Sequence, residues 1–278
     1  TVLMAPTGRA AKVFSAYAGQ PAFTVHKKIY RMDKFTEGPG VFSLAENRHR
    51  QTLFLVDEAS MISNDNREFS IFGSGRLLDD LIEYVYSGDG NRLLLIGDTA
   101  QLPPVQQEFS LALDEQTISS YLLEVVSCTL TEIVRQSENS GILMNATLLR
   151  NALRNNDTKR FPKINLHAFN DVMRISGTEL IEEISSAYHR DGIEETIVIS
   201  RSNKRVNAYN NGIRNRVLYR EEELSPGDLL MITKNNYHWA GGIEDIDFLA
   251  NGEFVEVVRV RRQETMYGFR FCNVLLRH

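Results

Sequence analysis

Three stretches of this chain are apolar without interruption. Thr1 to Ala5, Thr52 to Val56 and Arg92 to Gly97 show no polar alternation. Short runs of this kind suit strands covered on both faces, as in a parallel sheet flanked by helices. Helical spacing fills the intervals. Ala10 to Ala18 is an alanine-rich helix closed by Gly19, because glycine readily takes the left-handed conformation that ends a helix. Arg76 to Tyr86 places Leu77, Leu78, Leu81, Ile82 and Val85 on one helical face. Thr24 is a good cap for a short helix reaching Tyr30. The segment from Asp33 to Arg50, with Gly38-Pro39-Gly40 inside it, reads as a surface hairpin.

Farther on, Ser140 to Asn155 and Asn203 to Leu218 predict helices, as does Thr178 to His189 with Thr178 as its cap. Thr196 to Ser200 predicts a strand between the last two. Gln116 to Ile133 has no clear period beyond a short strand at Thr129-Leu130. From Pro226 onward strands dominate: Leu229 to Thr233, Phe254 to Val260 and Phe269 to Leu276, with a turn at Asn251-Gly252. Strand–helix alternation therefore predicts one α/β layer to about residue 136, a second to about 224, and a β-rich piece after that.

Composition narrows the classes. The chain has 278 residues, enough for two ordinary domains. Its 31 basic residues are outnumbered by 36 acidic ones, so any nucleic-acid binding must come from a local groove rather than a global excess. Cys128 and Cys272 lie far apart in apolar surroundings, which points to buried free thiols in a reducing cytoplasm. No apolar run approaches the roughly 20 residues of a membrane span, so no membrane partner is expected. A strand at residue one and a strand at the last residues suggest a fragment cut from a longer protein.

The chemistry gathers at strand ends. Val56 is followed by Asp57-Glu58, and Ile96 by Gly97-Asp98. Parallel strands deliver both to one edge of the sheet, the edge where ligands bind in α/β folds. Alone, an Asp-Glu pair is usually a strand stopping in a polar turn. Here Gly97 permits a sharp exit and Pro103-Pro104 stiffens the continuation, so Gln101 is held as a neutral donor and acceptor beside the acids. Nucleotide hydrolysis needs a carboxylate to organise Mg²⁺ and a group to orient water, with cations around the transferring phosphoryl. Asp57, Glu58 and Gln101 meet the first two needs.

Three segments then resemble signature motifs of superfamily 1 DNA helicases: VDEASMI, GDTAQLPPV and the earlier APTGRAAK. The resemblance is closest to the RecD-like branch, which includes the exodeoxyribonuclease V alpha subunit. Thr24-Val25-His26-Lys27 is similar to a short motif of that branch. Leu130 to Gln136 is similar to the motif whose arginine reaches the γ-phosphate, and Gly227 through Glu253 to the lead into an SH3-like insertion. The resemblance implies RecA-like parallel sheets flanked by helices, a P-loop helicase motor, followed by the start of a β-rich insertion. The expected divisions are an incomplete first motor domain at 1–136, part of a second at 137–224, and a β-rich segment at 225–278.

It further implies ATP and Mg²⁺ as cofactors, single-stranded DNA as partner, 5′ to 3′ translocation, and association with other subunits of a helicase–nuclease complex. Asp57 would hold the metal through water, Glu58 would activate the attacking water, Gln101 would sense the γ-phosphate, and Arg135 would stabilise the transition state. Pro6, Thr7, Gly8, Arg9, Thr24 and His26 would meet the DNA backbone. Departures count as much. No GxxxxGK[ST] loop occurs in the 278 residues, and Gly8 to Lys12 lacks the second glycine and the hydroxyl residue. A non-catalytic DNA-binding module with a helicase-like fold is therefore the rival reading, and a P-loop nucleotidase acting on RNA a third. Plainer readings stand beside individual residues: Arg135 paired with Glu132, Asp98 capping a turn over Thr99 and Ala100, Lys27-Lys28 as a solvated face, and the same for Lys204-Arg205. The six histidines lack ligand spacing, so a zinc site is not expected.

Overall fold

The computed structural model describes residues 1–32, 42–65, 72–132, 140–155, 161–166, 169–233 and 252–277. Strand β1 (Val2–Ala5), buried throughout, runs into helix α1 (Gly8–Ala18). Thr7 caps that helix by accepting from the Ala10 amide at 3.2 Å, and Gly19 ends it at φ 64°. Then come β2 (Ala22–Thr24), the short α2 (Val25–Ile29) capped by Thr24, β3 (Tyr30–Met32) and β4 (Phe42–Leu44). Strand β5 (Leu53–Val56), helix α3 (Leu77–Tyr86) and β6 (Arg92–Leu95) complete the first layer.

The sheet has the order β2-β1-β5-β6, every pair parallel, with Leu3 opposite both Ala22 and Leu55, and Phe54 opposite Leu93. This is the α/β architecture that the apolar runs predict. Met4, Phe54, Val56, Ile62, Leu78, Leu81 and Val85 are fully buried in one core. Burying such side chains contributes about 1.5–3 kcal/mol each. Polar groups inside are paired, as burial demands. Asn91 accepts from the Thr52 amide at 3.0 Å and donates to the His49 and Val85 carbonyls, tying β5 to the end of α3. Asp80 accepts from the Tyr30 hydroxyl at 2.6 Å and from the Ser74 amide and hydroxyl. Gly73 lies so close that a Cβ there would sit 2.1 Å from the Asp80 carboxylate.

After α4 (Glu115–Ser119) the described chain contains α5 (Gly141–Arg154), α6 (Leu180–Arg190), α7 (Asn203–Arg216), β7 (Leu229–Met231), β8 (Phe254–Met266) and β9 (Phe269–Arg277). The last three form a sheet in that order, with β8 and β9 antiparallel. The chain divides into two compact units, Thr1–Leu130 with Leu230–Val255, and Thr131–Leu229 with Glu256–His278. In the second unit, Asp228 is buried and accepts from Arg214 at 2.9 Å, Arg220 at 2.5 Å and the Ser225 amide at 2.8 Å. Burial pushes its pKa up, but the amide and the two guanidiniums outweigh that and hold it below the usual carboxylate range.

Several expected elements differ. Thr196 to Ser200 forms no strand, and Ile197 and Ile199 are 74% and 86% exposed. A β-branched run becomes a strand only when a neighbour supplies the ladder, and among the described residues none does. Thr129-Leu130 forms no strand for the same reason, and part of its ambiguous surroundings is the helix α4. Helix α6 begins at Leu180 with no side-chain cap, because the Thr178 hydroxyl bonds to Ser176 instead. Strand β2 was not legible, since three residues carry no period. The excursion is bracketed by the antiparallel pair β3–β4, but residues 33–41 lie outside the described set. Both cysteines are free, yet Cys128 is exposed rather than buried.

Replacing Asp228 by Asn would leave two guanidiniums facing a neutral amide. The expected loss is about 3 kcal/mol, at the low end for buried pairs because both arginines remain partly wetted. Urea unfolding followed by circular dichroism reads it, and an unchanged midpoint would show that the cluster contributes nothing.

Candidate functional site

All four strands of the first sheet run the same way, so their carboxyl ends line one edge. In spatial order this edge carries Thr24 after β2, Pro6 to Arg9 after β1, Asp57-Glu58 after β5, and Gly97-Asp98 with Gln101 after β6. Backbone bonds continue past the strands and hold these ends in line. The Asp57 amide donates to the Met4 carbonyl at 3.0 Å, Ile96 to Val56 at 2.8 Å, and Ala59 back to Ile96 at 2.8 Å. The acid pair thus lies between the β1 exit and the β6 exit.

Both acids are half-buried, and the Asp57 carboxylate accepts from the Glu58 amide at 3.0 Å. Glu58 adopts φ 53°, ψ 34°, a left-handed conformation that costs a residue with a Cβ about 1–2 kcal/mol. It starts a 3₁₀ turn, Ala59–Met61, with Ala59 and Ser60 buried. The neighbouring strand over-determines this strained backbone. A Cβ on Gly97 would stand 3.0 Å from the Ser60 amide nitrogen and 3.3 Å from that of Ala59, so glycine is what allows the close approach.

Past Gly97 the chain turns tightly. Asp98 accepts from the Ala100 amide at 2.9 Å through its side chain and from the Gln101 amide at 3.1 Å through its carbonyl. That is the turn-capping role considered for it above. Gln101 is exposed and lines a recess of about 190 Å³ with Thr99, Pro103, Phe109, Ser110 and Asp114. The Gln107 side-chain Nε2 donates to the Ser63 hydroxyl at 3.3 Å, which moors this loop to the segment after the 3₁₀ turn. Three buried oxygens nearby have no hydrogen-bond partner among the described residues: Ser60 Oγ, Gln107 Oε1 and Ser110 Oγ. Each such group costs about 1–3 kcal/mol. Sequence reasoning missed all three. The available signal was a serine in an otherwise apolar turn directly after two acids.

At the other end of the edge, Gly8 is buried and Arg9 exposed, with the Arg9 guanidinium 5.4 Å from the centre of the Phe254 ring. Thr24 is buried and occupied as the cap of α2, accepting from Lys27 at 3.1 Å. His26 packs edge-on to Phe72 at 5.0 Å and lies 5.7 Å from Tyr30. Burial lowers its pKa to about 4, against the opposing pull of Asp80. At neutral pH it is therefore uncharged and offers a phosphate no ionic attraction. Lys27 and Lys28 stand over the Phe23 ring at 5.9 and 5.5 Å. Arg135 and Gln136 lie outside the described residues.

The Asp57 carboxylate at this edge is a donor of the kind a Mg²⁺ ion takes. Among the described residues no group of three His, Cys, Asp or Glu side chains could enclose a metal. Mg²⁺ is usually bound by one or two carboxylates plus substrate phosphates rather than by such a cage. No helix among the described residues is long and apolar enough to cross a membrane.

The profile of a family described as an AAA domain matches residues 1–178, which contain the whole parallel sheet and its edge. The chain belongs to the AAA domain family. Among solved structures it is similar to the Pif1 helicase from Bacteroides in complex with ADP-AlF3 and ssDNA, at 18% identity and a TM-score of 0.37, covering 94% of this chain and 60% of that one. It is also similar to unliganded Pif1 from Bacteroides, at 17% identity and a TM-score of 0.35, and to Bacteroides Pif1 bound to ssDNA, at 16% and 0.34. In both, 99% of this chain and 69% of the other are covered. The chain thus spans about three-fifths of the length of the first of these helicases.

The strain at Glu58 is measurable. Glu58→Gly is expected to be more stable than Glu58→Ala by about 1 kcal/mol, since only glycine takes this backbone without penalty. Equal unfolding midpoints would place the backbone elsewhere. The His26 value also has a consequence. It lies below the unfolded value of 6.5, so the unfolded chain binds more protons between pH about 4 and 6.5. The contribution of the neutral ring is whole above that window and lost as the pH falls through it. Replacing His26 by Phe should flatten the pH dependence of stability there, and NMR of the ring should show no titration near 6.5.

Proposed function

We propose that this chain is part of the motor of an ATP-dependent superfamily 1 DNA helicase or translocase, resembling the RecD-like branch and working 5′ to 3′ on single-stranded DNA. The observation that carries this reading is the edge itself. The acid pair after β5 and the proline-stiffened Gln101 loop after β6 leave adjacent parallel strands in a chain of the AAA domain family. One Pif1 helicase from Bacteroides to which the chain is similar is in complex with ADP-AlF3 and ssDNA, and both ligand classes are part of this proposal.

In this reading Asp57 is the carboxylate that holds Mg²⁺ through water, and the metal supplies neutralisation of charge on the phosphates. Glu58, half-buried at the start of a strained turn, orients the attacking water and takes its proton. Gln101 donates its side-chain N–H to a γ-phosphate oxygen and reports the state of that phosphate to the DNA side. Arg135 adds positive charge at the transition state, a contribution of about 10³–10⁵ in rate in comparable nucleotide hydrolases. Pro6, Thr7, Gly8 and Arg9 meet the DNA backbone without reading sequence. Thr24 and His26 act on the DNA side chiefly by shaping α2, the one as its cap and the other as an uncharged packing group. The domain division proposed with this function is 1–136, 137–224 and 225–278, with cytoplasmic location and a helicase–nuclease complex as further parts of the proposal.

The rival, a DNA-binding module without catalysis, is favoured by one feature: no GxxxxGK[ST] loop occurs among these residues. Glu58→Gln in the full-length protein separates the two. Motor function predicts retained ATP binding with DNA-stimulated hydrolysis lowered by about 10²–10⁴-fold, the usual contribution of a general base. Undiminished turnover would remove Glu58 from that role, and a wild-type protein that binds DNA but never hydrolyses ATP would favour the module.

A further inference from the structure

The start of β8 carries an aromatic residue that the core does not use. Along Phe254-Val255-Glu256-Val257 burial alternates, with Val255 and Val257 almost wholly buried and Phe254 49% exposed. A strand puts successive side chains on opposite faces, so Phe254 belongs to the outward face. Its position is set by backbone bonds just before it, where Ile232 donates to the Glu253 carbonyl at 2.8 Å and Gly252 donates to the Ile232 carbonyl at 2.8 Å. This brings the ring beneath the guanidinium of Arg9, 5.4 Å from its centre, and both residues belong to the first compact unit. Arg9 follows Thr7 and Gly8 on the β1 exit, at the end of the sheet edge away from Gln101.

We infer that Phe254 is a base-stacking contact for single-stranded DNA, with Arg9 beside it as the cation for the adjoining phosphate. The inference rests on the nucleic-acid reading above and adds a residue that none of the motifs contains. An exposed ring next to an exposed arginine offers the two things an unpaired strand presents together, a π face and a charge to match. A base has the same flat face whatever its identity, so this contact is indifferent to sequence. Duplex DNA keeps its bases stacked on each other and gains nothing from the ring. Among the described residues, Glu256 is paired with Arg277 at 3.1 Å, and Glu253 also has a partner.

The test is fluorescence anisotropy with a labelled oligothymidylate at several salt concentrations, on wild type, F254L, F254W and R9Q. Leucine keeps the apolar contact with the chain and removes the π face. The expected result for F254L is about tenfold weaker binding with an unchanged salt slope, recovered in F254W. R9Q should weaken binding and lower the slope by about one phosphate contact. A 2-aminopurine base walked along the strand should be quenched at one position by wild type and not by F254L. F254L binding as tightly as wild type, or the same quenching in both, would overturn the role of Phe254 while leaving DNA binding intact. Failure of wild type to bind the strand at all would sink the DNA reading itself. Equal affinity for a duplex of the same length would overturn the stacking assignment.

Discussion

The insertion of β5 between β1 and β6 is the constraint on which the candidate site depends. Parallel pairing means that every strand leaves the sheet at the same edge, and the ladder does not stop where the strands do. Backbone bonds from Asp57 to Met4 and from Ala59 to Ile96 carry it into the turns. The acids are consequently not on a free loop but on the last rungs of a hydrogen-bonded frame. A slip of one residue in β5 would bury Asp57 and expose Phe54, because side chains alternate faces along a strand. Phe54 is fully buried against Tyr84 and His49, so the core holds the register that places the acids.

Away from that edge, the buried polar side chains among the described residues are satisfied. Asn91 spends both ends of its amide, and Asp80 and Asp228 each accept three or more hydrogen bonds. Around the edge the situation is reversed. Glu58 is in a left-handed conformation, and Ser60, Gln107 and Ser110 each keep a buried oxygen without a partner. Strain and unmet hydrogen bonds concentrated in one place are what a binding site for a polar ligand costs the free protein. The same concentration would be hard to understand if the acids were only the polar end of a strand.

The edge is also divided along its length. Its β5–β6 end carries carboxylates and the neutral Gln101, groups suited to a metal, a water and a phosphate. The β2–β1 end carries Arg9 beside Phe254, and Lys27 and Lys28 over Phe23. Strand order alone separates the two chemistries by the width of a strand or two, about 5–10 Å. Strands β1 and β5, paired in parallel, lie between them.

Much of this was written locally. Uninterrupted apolar runs identified β1, β5 and β6, since a strand covered on both faces has no room for polar residues. Thr24 and Gly19 marked helix ends through hydrogen bonds made within three or four residues. The acid pair and Gln101 were legible for the same reason, as each sits a fixed few residues beyond a strand. What the sequence by itself could not determine were outcomes needing a distant partner. Ile197-Val198-Ile199 reads as a strand, but no neighbour among the described residues supplies its ladder. The resemblance implies His26 as a DNA contact, but Phe72, some 46 positions on, packs against it, and burial keeps the ring neutral. Arg9 and Phe254 are separated by most of the chain, and only the folded sheet and the return of β8 bring them together. Periodicity and caps are set by near neighbours; burial, pairing and charge state are set by whatever the tertiary structure places alongside.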